Sequence, residues 1–320
     1  MTIIFFGSTS DSVIVADALH KVYPIACVVT QPPKPVGRKQ EITPTPVELW
    51  AKKHTIPVLS FPGDEEKPWL YLHEEDVINA LATWKPDLLV SACYGQKIPT
   101  DTIKHAPFGG LNIHPSLLPR WRGADPIPWT ILTDDRQTGV TLVTVLENFD
   151  EGNIIAQKKI AITDQDLPDP LRTHLFTMGA TLLLQELPDY LSGKNNGTPQ
   201  NQAHMTYARK LNRADGFIPW ELLMAGIEGT DIPQKHTDIL TNIPGPLSNA
   251  IIHMIRALSP WPGVWTIIKS KDEGLKMKGE EKRVKIIAAH SEKEILIIDT
   301  VQLEGKNPVP WKQFADAYIH

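Results

Sequence analysis

Near-continuous apolar runs, separated by stretches with a helical period, dominate the first half of the chain. Residues 2–6 form a short, mostly apolar run that stops at Gly7-Ser8-Thr9-Ser10-Asp11, after which Val13, Ala16, Ala18, Leu19 and Val22 recur at helical spacing. Strand, Gly/Ser turn and helix open a βαβ unit. Residues 25–30 and 87–92 supply further strands, with helical patterns near 45–54 and 74–84 between them. Strands apolar on both faces belong to a parallel sheet covered on both sides. The expected fold of this half is therefore α/β, a doubly wound, mostly parallel sheet. Residues 111–114 alternate apolar and polar positions, which predicts a strand with Asn112 and His114 on one face, ended by Pro115. A helix is expected over 124–133, a hairpin of strands over 139–146 and 154–162, and a long helix over 171–191.

Residues 192–202 are polar and rich in Gly and Asn, the composition of a linker. Beyond them, short apolar runs at 264–268, 284–289 and 295–300 alternate with charged turns, which predicts a small β-barrel or sandwich. The expected organisation is a catalytic domain over 1–191, a linker over 192–206 and a C-terminal β-barrel domain over 207–320. A chain of 320 residues is long enough for two such cores.

Charge adds a restriction. The formal net charge is −5, with 17 basic and 23 acidic residues in 1–206 against 15 and 14 in 207–320, so only a local basic patch could serve an anionic partner. One candidate is the segment 31–45, Q-P-P-K-P-V-G-R-K-Q-E-I-T-P-T, whose prolines and glycine argue for a loop that exposes Lys34, Arg38 and Lys39. A second is 269–285, with seven basic and four acidic residues, readable either as a solvated hairpin or as an RNA contact. Cys27 and Cys93 lie in apolar runs and read as small core residues of a reduced, cytoplasmic protein. No apolar run approaches the ~20 residues of a membrane span.

Several chemistries are disfavoured. The first turn lacks G-x-G-x-x-G, and no G-K-[ST] follows it, which argues against a dinucleotide or a P-loop nucleotide. The histidines show no H-E-x-x-H and the cysteines no C-x-x-C, so no metal is expected. Ser116 is outside any G-x-S-x-G elbow. What stands out is G-G-L-N-I-H-P-S-L-L-P-R-W-R-G at 109–123, together with Asp150 in F-D-E-G. An Asn amide can hold a carbonyl oxygen as it becomes an oxyanion, worth ~10²–10³ in rate in other acyl-transfer sites. A His can carry a proton from an attacking amine, worth ~10²–10⁴. A carboxylate beside that ring fixes its orientation. Asn112, His114 and Asp150 together suit acyl transfer to an amine without a covalent enzyme intermediate.

At these residues the chain resembles the folate-dependent formyltransferases over nearly its whole length. The likeness runs through K-P-V-G-R at 34–38, P-D-L-L-V-S-A-C-Y-G at 86–95, L-N-I-H-P-S-L-L-P-R-W-R-G-A at 111–124, T-G-V-T at 138–141 and F-D-E-G-N-I-I at 149–155. Y-A-R-K-L at 207–211, D-G-F-I-P-W at 215–220 and I-R-A-L-S-P-W-P-G at 255–263 narrow it to the members that act on tRNA. The resemblance implies that 10-formyltetrahydrofolate donates a formyl group to the α-amino group of methionine on initiator tRNA. Asn112 would hold the formyl oxygen, His114 would share that task and assist proton transfer, and Asp150 would orient His114. Ser116, Leu117, Leu118 and Pro119 match the family's folate-site loop, and Tyr94, Gly95, Gln96, Lys97 and Ile98 should line the pterin pocket. Arg38, flanked by Lys34 and Lys39, falls in the loop that engages tRNA, and the C-terminal domain, OB-like in the family, would grip the acceptor arm. A monomer is expected. Residues 221–246 look like an insertion relative to the family. An amino-sugar nucleotide formyltransferase, a hydrolase of the same folate, and a catalytically silent RNA-binding protein are the alternatives, since acceptor identity lies outside the Asn-His-Asp set.

Overall fold

The structure is a computed structural model that describes residues 1–37, 39–230, 238–269 and 281–319. The chain forms two compact units. One comprises Met1–Pro126, Gln137–Ala161 and Asp169–Arg209, the other Ile127–Arg136, Ile162–Pro168 and Lys210–His320.

In chain order the first part runs β1 (Ile3–Gly7), α1 (Ser10–Val22), β2 (Ile25–Thr30), β3 (Lys34–Val36), β4 (Glu41–Thr43), α2 (Pro46–Lys53), β5 (Val58–Ser60) and α3 (Glu74–Ala82). It continues with β6 (Leu88–Ala92), α4 (Thr100–His105), β7 (Gly110–His114), β8 (Arg122–Gly123), α5 (Pro126–Leu132), β9 (Gln137–Thr144), β10 (Ile154–Ala161), α6 (Pro168–Leu191) and β11 (Tyr207–Ala208). Local chemistry sets the boundaries. α1 begins at a capping box in which Thr9 and Ser12 each bond the other's backbone N–H, and α2 begins with Pro46 just after Thr45, whose hydroxyl accepts from Glu48 N.

The main sheet has the order β10-β9-β7-β6-β1-β2-β5. β5, β2, β1, β6 and β7 are parallel, while β9 runs antiparallel to β7 and β10 antiparallel to β9. Phe5, Val28, Val90, Leu111 and Ile113 pack on one face with Val15 and Leu19 of α1 and Phe176 and Leu183 of α6. Ile4, Phe6, Val29 and Leu89 pack on the other with Val77 and Leu81 of α3. The expectation of strands buried on both faces is met, β1 being buried at every position. The chain builds outward from β1 through β2 and β5, then restarts at β6 on the other side. The carboxyl ends of β1 and β6 therefore form a topological switch point, where α/β sheets leave a crevice for ligands.

Three expectations change. Segment 31–45 is not wholly irregular: β3 and β4 form a two-stranded antiparallel ribbon with Pro35 opposite Ile42. A ribbon of two strands leaves outer edges unpaired, so a proline without an N–H is tolerated there. Lys34 and Lys39 are exposed, and Arg38 lies outside the described residues. Residues 192–206 are not a free linker: Thr198 bridges to Ile154, Asn195 Nδ2 donates to Ile155 O and Glu186 Oε2, each at 3.1 Å, and β11 then pairs with β8. Polar composition reads as solvated until its hydrogen-bond partners are known. β5 and α4, at three and six residues, are too short to show a period.

The second unit holds α5 with its following turn, residues 162–168, and then α7 (Trp220–Glu228), α8 (Asp238–Thr241), α9 (Leu247–Ala257), β12 (Val264–Lys269), β13 (Glu281–Glu292), β14 (Ile295–Leu303), β15 (Val309–Pro310) and α10 (Trp311–Tyr318). The expected small β domain takes the form of a four-stranded antiparallel sheet, β12-β13-β14-β15. β13 and β14 join through Lys293 and Glu294, at φ 50° and 66°, the left-handed pair a tight hairpin requires. Residues 127–136 and 162–168, expected in the catalytic domain, join this unit instead. Arg256 of α9 donates through Nη2 to Thr163 O at 2.8 Å and Asp166 O at 3.3 Å. The apparent insertion 221–246 carries α7 and α8, with 231–237 outside the described residues, as are 270–280 of the second basic stretch. Among the described residues no helix is long and apolar enough to cross a membrane.

Candidate active site

β7 delivers Asn112 and His114 from adjacent same-face positions, with Asn112 opposite Ser91 of β6 and Val143 of β9. Asp150, 36 positions beyond His114 in the chain, comes to both. Asn112 Nδ2 donates to Asp150 Oδ1 at 3.3 Å, and His114 Nδ1 lies 3.3 Å from the same oxygen, the two side chains being 5% and 8% exposed. The other carboxylate oxygen accepts from Gly123 N at 3.0 Å. On the far side of the ring, His114 Nε2 donates to Trp121 O at 2.8 Å. The three predicted groups thus meet at one carboxylate. Asn112 spends one N–H on Asp150 and keeps the second N–H of the same nitrogen for a carbonyl oxygen. Both nitrogens of His114 face protein acceptors, so proton transfer through this ring requires exchanging one of them for substrate.

Asp150 stands at φ 58°, a left-handed conformation that a non-glycine residue holds only when its surroundings enforce it. Gln200 supplies the enforcement. Its Nε2 donates to Asp150 O at 2.6 Å and Gly152 O at 2.8 Å, and its Oε1 accepts from Arg122 Nε and Nη2 at 3.1 and 2.9 Å. Arg122 Nη1 completes the brace on Glu151 Oε1 at 3.2 Å. Neither Arg122 nor Gln200 was anticipated. The arginine reads in sequence as one of the basic pair in R-W-R, and Gln200 as one polar residue in a polar run. Gln200→Leu is expected to lower kcat by about tenfold and to lower Tm, since Arg122 Nε and Nη2 lose their buried acceptor, while moving either KM by less than about twofold, because Gln200 braces Asp150, Gly152 and Arg122 alone. Steady-state kinetics on the variant check this; an unchanged kcat removes Gln200 from the positioning of Asp150.

The other predicted segments fall into place differently. Ser116 is fully buried, and its hydroxyl donates to Arg120 O at 2.7 Å. Its carbonyl accepts from Thr141 Oγ1 at 2.6 Å, which in turn accepts from Leu118 N at 3.1 Å. Gln157 Nε2 donates to Leu118 O at 2.8 Å. The polar groups of Ser116 and Leu118 thus shape the loop that presents Trp121 O to His114, while Leu117 and Pro119 remain half-buried. Tyr94, Gln96 and Ile98 are buried, and Tyr94 shares a 2.8 Å hydroxyl contact with Tyr71. Burial holds the Tyr94 hydroxyl well above the usual phenol range. Gly95 has φ 86°, and a Cβ there would meet Gln31 Nε2 at 2.8 Å. Lys97 N donates to Trp69 O at 2.8 Å. Gln96 Oε1 is buried without a hydrogen-bond partner among the described residues, an acceptor suited to the N–H groups of a heterocyclic ligand. Cys93 is pushed up to about 12, first by burial and next by the Asp11 carboxylate, so its thiol is no nucleophile at neutral pH.

A buried Asn-His-carboxylate set at the strand ends of a doubly wound sheet defines an acyl-transferring α/β enzyme. Residues 1–187 match the family described as formyl transferase. The chain is 36% identical over 269 residues to the methionyl-tRNA formyltransferase of Listeria monocytogenes serovar 1/2a, covering 84% of this chain and 76% of that one. It is 33% identical over 270 residues to the methionyl-tRNA formyltransferase of Staphylococcus epidermidis, covering 84% and 77%. In fold it resembles an N-formyltransferase from Helicobacter canadensis solved with folinic acid and dTDP-3-aminofucose, at 16% identity and a TM-score of 0.53, covering 89% of this chain and 95% of that one. The chain belongs to the formyl transferase family, in the group of the methionyl-tRNA formyltransferases.

Proposed function

We propose that the protein transfers the formyl group of 10-formyltetrahydrofolate to the α-amino group of methionine on initiator tRNA, a reading supported by relatives named methionyl-tRNA formyltransferase. The observation that carries this reading is the convergence of Asn112 and His114 on one oxygen of Asp150. The acceptor nitrogen attacks the formyl carbon, and the electron pair of the C=O bond moves to oxygen, where the second N–H of Asn112 meets it. The carbon–N10 bond of the folate then breaks, and the proton given up by the acceptor nitrogen passes to the leaving nitrogen through His114, which Asp150 orients. Tyr94–Ile98 forms the donor side, and the unpartnered Gln96 oxygen supports a pterin ring there. Lys34 of β3 and Lys39 between β3 and β4, both exposed, support a tRNA contact, and Arg38, next to Lys39 in sequence, shares that proposed role.

The test is to incubate the protein with radiolabelled 10-formyltetrahydrofolate and, in parallel, methionylated initiator tRNA, an amino-sugar nucleotide or water. Label on the tRNA alone is the expected result. Label on the sugar nucleotide, or formate released without an acceptor, would sink the acceptor assignment while leaving the formyl chemistry intact.

A further inference from the structure

Asp11 has no part in the chemistry described above, yet it stands close to it. β1 ends level with β6, Gly7 pairing with Ala92, and β6 in turn sets Ser91 against Asn112. Cys93 and His114 each lie two positions further on, at the ends of these neighbouring strands. The first turn of α1 is tied down over the same strand end, Ser12 Oγ donating to Ala92 O at 2.6 Å and lying 3.5 Å from Cys93 O. Asp11, the residue before Ser12, therefore sits at the switch point between β1 and β6, where the Cys93 thiol feels the charges of both Asp11 and Asp150. Its surroundings are poor for a carboxylate. Asp11 is 6% exposed, no hydrogen bond from another described residue reaches its side chain, and its ion pair with Arg172 Nε spans 4.0 Å. Arg172 Nε is itself buried without a hydrogen-bond partner among the described residues. Burial lifts the Asp11 carboxyl above the usual carboxylate range; Arg172 opposes that rise and Asp169 adds to it. A buried charge with so little compensation is costly unless a further cation pairs with it.

We propose that Asp11 receives the α-ammonium group of the acceptor and takes its proton before the formyl group is transferred, an inference that rests on the acceptor reading above. An α-amino group has a pKa of about 8, so at neutral pH the acceptor arrives as a cation without a lone pair. His114 is not placed to take that proton, since both of its ring nitrogens face protein acceptors. Asp150 has both carboxylate oxygens in use, whereas those of Asp11 are free of hydrogen bonds from other described residues. One carboxylate beside a guanidinium falls short of the oxygen cage that a metal ion needs, but it suits a single ammonium group. The protons balance. One ammonium proton goes to Asp11 and on to solvent, and the freed lone pair forms the bond to the formyl carbon. The second proton passes through His114 to N10 of the folate as the bond from N10 to carbon breaks. Burial favours the protonated form of Asp11 and so suits it to accepting a proton.

The test measures binding, without folate, of initiator tRNA carrying methionine and of the same tRNA carrying its α-hydroxy analogue, each joined by an amide in place of the ester so that it survives alkaline pH. Wild type should bind the amino form about tenfold more tightly at pH 7, the scale of a hydrogen bond to a charged group, and the difference should shrink at pH 9, where the amine is neutral. Asp11→Asn, which keeps the shape of the side chain and removes its charge, should bind both forms alike at either pH while its thermal melt stays close to that of wild type. Its kcat/KM for methionyl-tRNA should fall about tenfold at pH 7 and recover towards wild type as the pH rises. Equal binding of the two forms by wild type at pH 7 overturns the proposal without recourse to any variant. A preference that does not change between pH 7 and pH 9, or one that persists in Asp11→Asn, overturns it too. Should wild type place no label on tRNA in the formylation assay, the acceptor reading itself fails, and this inference with it.

Discussion

Asp150→Asn is expected to fold normally and to lose about 10³ in kcat. The backbone argument predicts the folding. Asparagine tolerates the left-handed conformation better than most residues, and Gln200 grips the carbonyls of Asp150 and Gly152, not the side chain. The loss follows from hydrogen-bond directionality. Asp150 receives Asn112 and faces His114 through Oδ1 and receives Gly123 N through Oδ2, whereas an amide offers one acceptor and puts a donor in the second place. Whichever way it turns, one N–H is left facing another, and the negative charge that steadies a protonated His114 is gone. Kinetics beside a thermal melt decide the matter. An Asn variant within threefold of wild-type turnover would remove Asp150 from the mechanism.

The second large effect belongs to the pair on β7. Asn112→Ala and His114→Ala should each lower kcat by ~10² or more, with little change in tRNA binding, because in the proposed mechanism each removes a group that acts on the formyl centre rather than on the acceptor's surface. The double variant should cost clearly less than the product of the single losses. Both side chains work on the same Asp150 oxygen, and groups acting as a unit are not additive. Strict multiplicativity of the two losses would mean that they act independently, contrary to the geometry.

Much of the first unit was legible because its signals are local. The apolar runs that became β1, β2 and β6 and the helix-period stretches that became α1, α2 and α3 carry their own period. So does the alternation that put Asn112 and His114 on one face. The β3–β4 ribbon was missed because Pro35 argues against a ladder, and nothing in the sequence says that this ladder has only two strands. The membership of residues 127–136 and 162–168 in the second unit was missed for a different reason. It depends on contacts such as that of Arg256 with Thr163 and Asp166, some 90 positions away. The polar run from 192 onward likewise read as a linker because hydrogen-bonding partners are not a property of composition.

What the sequence by itself determined is the chemistry on offer: an amide, an imidazole and a carboxylate in motifs that suit acyl transfer, on a fold whose strand pattern puts the first two side by side. Periodicity suffices for that, since neighbours on one strand face are fixed by the pleat. Only the tertiary structure decided that Asp150 reaches them and that its left-handed backbone is held by Gln200 and Arg122. Each of these joins residues dozens of positions apart, and such distances are closed by the packing of the whole sheet, not by any local preference of the chain.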